Sequence, residues 1–144
     1  MKILLLRLNI LVIVLLLASC GKKSETMSAE ESSDEWPELD SFHMLMSDAF
    51  HPYKDSANVA PVKKLAEEMA LEAERWQESK LPGKVNNDGV KDQLEKLKVG
   101  TRALADQIKA GASDAEIGAL LTTLHDNFHA IMEAWYGGVE KHEH

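Results

Sequence analysis

Between Ser113 and Tyr136 the apolar residues Ile117, Leu120, Leu121, Leu124, Phe128, Ile131 and Trp135 recur at steps of three and four. At about 100° per residue, these steps place them on one face of a helix. Ser113 and Glu116 form a Ser-x-x-Glu capping box in front of it, and Gly111 is placed to close the helix before. Three earlier stretches carry the same period. The first starts at Trp36-Pro37, where proline suits a first turn, and presents Trp36, Leu39, Phe42, His43, Met46 and Phe50. It is expected to end at His51-Pro52, because proline pushes the residue before it out of the helical region. The second begins near Asn58, accommodates Pro61 in its first turn, carries Val62, Leu65, Met69, Ala73 and Trp76, and stops at Leu81-Pro82-Gly83. After the turn residues Asn86-Asn87-Asp88-Gly89, the third presents Val90, Leu94, Leu97, Thr101, Leu104 and Ile108. No stretch alternates as a strand does. Four helices with short connections predict an all-α, antiparallel up-down-up-down four-helix bundle.

The composition of 144 residues, 44% hydrophobic and 28% charged, fits one folded domain with appendages. Lys2 and Arg7 precede an apolar run from Ile10 to Ala18, an export-signal pattern too short for an ordinary membrane span. Leu17-Ala18-Ser19-Cys20 resembles the lipobox of bacterial lipoproteins. The resemblance implies that residues 1–19 are removed as a signal peptide, that Cys20 carries a diacylglyceryl thioether, and that its new amino group is acylated. Two or more acyl chains anchor a protein stably without a spanning helix. Gly21 rather than Asp after the cysteine implies the outer membrane, with the domain facing the periplasm. Residues 20–35, rich in Ser, Glu and Lys, read as a flexible tether of roughly 20 Å. Residues 36–138 then form the bundle, and 139–144 a fraying tail in which His142 and His144 are solvated.

Charge narrows the partners. Loss of Lys2 and Arg7 leaves 14 positive residues from 16 against 24 negative ones, so the formal charge moves from -8 to -10. That balance disfavours nucleic acid and anionic lipid and suits a cation. Cys20 is the single cysteine, which excludes a disulfide and a thiolate metal site.

Chemistry therefore rests on histidine. His43 lies within about 20° of the middle of the first apolar stripe. It is either a core imidazole bonded to a backbone carbonyl or to Thr101, or a ligand to a metal or haem iron. His125 and His129 lie about 80° and 120° from the centre of the last stripe, which are boundary and solvent positions. They are also an i, i+4 pair able to chelate a metal from one helix. Counted along antiparallel helices, His43, His125 and His129 can meet at one level. Met46 or Met132 could complete a site for a soft ion such as copper(I), although methionines are more often gap-fillers in a core. His51 suits a cap for the first helix, and Trp36, Trp76 and Trp135 suit core anchors near the bundle ends.

Other chemistries fail on direction or composition. Asp40-x-x-His43 and Asp126-x-x-His129 suggest a di-iron site, but Asp126 points about 180° from the apolar face and the third helix has no inward carboxylate. There is no Gly-rich phosphate loop, Ser-centred elbow or free thiol, so no catalytic residue is expected.

From Leu39 through His43 and Phe50 to Val62-Lys63, and again at Thr122-Thr123 and Asn127-Phe128-His129, the chain resembles the soluble b-type four-helix cytochromes. The resemblance implies non-covalent haem between His43 and His129, with His43 standing where that family has Met. Absence of Cys-x-x-Cys-His excludes covalently attached haem. The leading expectation is transition-metal binding, copper or zinc, through His43, His125, His129 and Met46. Haem b for electron transfer is the alternative, and a ligand-free interaction bundle is a third.

Overall fold

The structure, a computed structural model, describes residues 35–137. The expected signal peptide, Cys20, nearly all of the tether and the tail lie outside the described residues. Within them the chain forms four helices: α1 (Pro37–Ser56), α2 (Ala60–Glu78), α3 (Asp88–Lys109) and α4 (Asp114–Tyr136), with a short 3-10 turn at Gly83–Val85. They form the expected four-helix bundle. Among the described residues there is no strand, and no helix is long and apolar enough to cross a membrane.

Local chemistry accounts for most helix ends. Ser113 Oγ accepts from the Glu116 N–H while the Glu116 carboxylate accepts from the Ser113 N–H at 2.8 Å, completing the capping box. Asn87 caps α3 by accepting from the Val90 N–H at 3.0 Å. Gly111 takes φ +85, the left-handed conformation that lets the Ala112 N–H reach back to the Gln107 carbonyl.

The end of α1 differs from expectation. The helix runs through Pro52 to Ser56, so His51 is an exposed helical residue and not a cap. Ala57 then adopts φ 53 and donates to Tyr53 O, while Asn58 donates to Pro52 O. Packing explains the extension. The turn beyond Pro52 places Tyr53 at 6.2 Å from Phe50 and against Gly118 of α4, where a Cβ would collide with the Tyr53 ring. That contact offsets the hydrogen bond lost at proline.

The core runs from Trp36 to Trp135 and uses the apolar residues of all four stripes, with His43 left outside it. At one end Trp36 packs edge-on to Trp76 at 5.1 Å and beside Trp135 at 5.3 Å. Phe42 lies against both Trp76 and Phe128, at 5.7 and 5.4 Å. Val85 of the 3-10 turn is buried, and the neighbouring Lys84 ammonium sits 3.2 Å over the Trp135 ring, covering that end with a cation. Thr101, fully buried, donates to its own helix at Leu97 O and Lys98 O.

Outside the core, Glu67 of α2 accepts from Arg102 at 2.8 Å and Lys109 at 2.6 Å, both on α3. These two cations hold its carboxyl down from an ordinary 4.5 to about 2. The folded value lies below the unfolded one, so this contribution is present above the ordinary carboxylate range and is lost as pH falls towards about 2. Glu67→Gln is therefore expected to flatten the acid side of a melting temperature against pH curve slightly, since the group is exposed. An unchanged acid limb would show that the bridge adds nothing to stability.

Candidate metal centre

α4 carries its histidines on the flank that faces α1. The opposite flank is fixed by Asn127, whose side-chain amide donates to Gln93 O of α3 at 3.1 Å. His125 turns the other way and stacks on Phe50 of α1, with ring centroids 3.7 Å apart and planes 14° from parallel. One turn on, His129 points its Nε2 at the Nε2 of His125, 3.1 Å away. Helical spacing sets the two rings on one flank, and the Phe50 face holds the inner ring flat.

Environment also differs between the two. His125 is half-buried and His129 exposed. Burial first, then the charge of His129, pushes the His125 imidazole below its ordinary value; Asp126 pulls the other way and Lys54 adds a smaller push. Burial and the His129 charge both disfavour the charged form of His125. Asp126 Oδ1 lies 3.6 Å from His125 Nδ1, too long for a good hydrogen bond but close enough to favour the proton there. That tautomer leaves the His125 Nε2 lone pair free, to accept an N–H from His129 or to bind a cation.

The other expected ligands are placed differently. His43 is exposed, not buried in the stripe. The buried set of α1 includes Ala49 as well as Phe42, which moves the centre of the face and leaves His43 about 70° from it. Its ring is 5.7 Å from Phe128, level with the neighbourhood of His129, and Thr101 bonds to its own helix instead. Met46 is 1% exposed and belongs to the core, so its sulfur faces inward. Met132 packs against the core, and Met44 is 67% exposed. Among the described residues no three His, Cys, Asp or Glu side chains gather as a metal-ion site. His125 and His129 are brought together; His43 and Met46 do not join them.

Leu39, Met46, Phe50 and Phe128, which a haem between His43 and His129 would have to displace, are packed core residues, and Phe42 fills space between Phe128 and Trp76. Two contributors were absent from the sequence reading of the site. Phe50 is a stacking partner as well as a core residue, and Asp126, directed away from the core, still reaches the back of His125. The aromatic residue could have been found by matching levels along antiparallel helices. Asp126 could have been found from its adjacency to the histidine.

No protein-family model, no curated protein and no solved structure matches the chain.

Proposed function

We propose that this protein is a lipid-anchored bacterial envelope lipoprotein whose bundle binds a transition-metal ion, copper or zinc, through His125 and His129. One observation carries the metal reading: the 3.1 Å separation of the two Nε2 atoms. Imidazole nitrogens bind zinc at about 2.0–2.1 Å, and at that bond length a 3.1 Å separation corresponds to an angle of about 100° at the ion. This lies between square-planar and tetrahedral angles. In the metal-free pair the same distance suits one N–H···N hydrogen bond from His129 to His125, which the ion replaces once the His129 proton passes through solvent from Nε2 to Nδ1 and frees the Nε2 lone pair. Disfavoured protonation of His125, an Asp126 carboxylate behind Nδ1 and an acidic protein all favour a cation there. The proposed role is binding rather than catalysis.

Haem between His43 and His129 is the weaker reading. It would require Phe42, Met46 and Phe128 to leave a core in which each is at most 1% exposed. A metal ion on the His125 and His129 pair leaves that core in place and calls only for reorientation of two side chains at the surface.

Calorimetric titration of residues 35–137 with zinc and with copper(II) tests the site. Omitting His142 and His144 removes competing imidazoles. His129→Ala is expected to weaken binding by about 100-fold or more, because a chelate becomes a single ligand, whereas His43→Ala should leave it within about threefold. Equal loss in both variants would return His43 to the site, and no loss in either would remove the histidines from it. The lipid anchor is tested separately, by mass spectrometry of the mature amino-terminal peptide and by its loss in Cys20→Ser.

A further inference from the structure

Resting on the metal reading above, we infer that His125 and His129 fill half of a metal's coordination shell and that a second copy of this chain fills the other half. The ion then joins two bundles through their α4 flanks. Zinc sites closed by protein use four ligands, usually tetrahedral, and this chain brings two. No third His, Cys, Asp or Glu converges among the described residues, and of the soft donors expected from sequence Met46 is turned into the core and Met132 packs against it.

Direction decides where the missing ligands come from. His125 is backed by Phe50 and His129 is exposed, so the open side of the pair faces away from the bundle. Groups completing the shell must approach from outside. A second His125 and His129 pair does so with the same bite, and a twofold axis through the ion makes the contact self-complementary. The flank around it is accessible: His43 of α1, whose ring lies 5.7 Å from Phe128 of α4, is exposed.

Charge makes the ion obligatory. Each chain is strongly acidic, and each pair carries Asp126 next to it, so two copies brought together without a cation repel. A divalent ion between four imidazoles offsets that repulsion at the point of closest approach. Association should therefore depend on metal, not on apolar area.

The test uses residues 35–137, whose core is complete in itself, with sedimentation velocity and calorimetry in zinc sulfate. Zinc is expected to double the sedimenting mass, saturating near half an equivalent per chain, with EDTA restoring the single bundle. His129→Ala, an exposed helical position where alanine is well tolerated, should abolish both the doubling and the half-equivalent binding. A single bundle binding one zinc, lost in His129→Ala, would overturn the paired site and leave the metal reading standing. Doubling that persists in His129→Ala would overturn it by placing the contact elsewhere. No zinc binding at all would overturn both.

Discussion

Replacing Trp76 with alanine is expected to lower the stability of the bundle by about 3–5 kcal/mol, the range for emptying a large aromatic site in a core. Trp76 is fully buried and touches Trp36, Phe42 and Phe128, drawn from α4, from α1 and from its leading end. No one of these rings can fill the space without giving up its other contacts. For a domain of about 100 residues such a loss is a large fraction of a total of roughly 5–15 kcal/mol. Urea unfolding would show it as a lower midpoint with little change in slope. The indole N–H refines the expectation. Neither Trp36 nor Trp76 has a hydrogen-bond partner for its buried Nε1, and their rings meet at 72°, which brings an indole edge towards a neighbouring π face. Trp76→Phe removes one orphan donor along with some area, so it should cost clearly less than Trp76→Ala. A loss below about 1 kcal/mol for the alanine variant would mean that the aromatic cluster is not the centre of the core.

Zinc at a free concentration of about 100 times its dissociation constant is expected to stabilise the folded bundle by about 2.7 kcal/mol, if the unfolded chain does not bind it. For a bundle of this size that is a rise of roughly 10–20 °C in melting temperature. The effect follows from geometry. Helical α4 holds the two imidazoles 3.1 Å apart and Phe50 fixes the inner one, whereas the unfolded chain must close the same chelate against backbone entropy. His125→Ala and His129→Ala should each remove most of the rise. His43→Ala should keep it. Calorimetric melting of the four proteins, with zinc and then with EDTA, distinguishes site binding from a general cation effect on an acidic chain. An equal rise in all four would discard the histidine pair.

These two expectations draw on different levels of information. The aromatic cluster was visible as three tryptophans and two phenylalanines on stripes of known register, because a three- and four-residue apolar period leaves a helix few ways to be buried. The histidine pair was visible as i, i+4 spacing. Its orientation towards α1 was not, because a position 80° off a stripe can face either neighbouring helix, and only the packing of Tyr53 on Gly118 and of Asn127 on Gln93 selects one. His43 shows the converse. A helical wheel weights large residues, whereas Ala49 is also fully buried, and counting that small residue moves the centre of the buried face away from His43.

By itself the sequence determined four helices, their buried stripes, the Ser113 and Glu116 box and the turn at Gly111, since these depend on periodicity and on backbone groups that must find partners within a few residues. Tertiary structure alone decided that α1 continues through Pro52, that His43 and Met46 part company, and that Phe50 lies flat on His125. Each of those outcomes balances a local preference against contacts made by another helix, and the strength of such contacts is set by distances that no single stretch of chain contains.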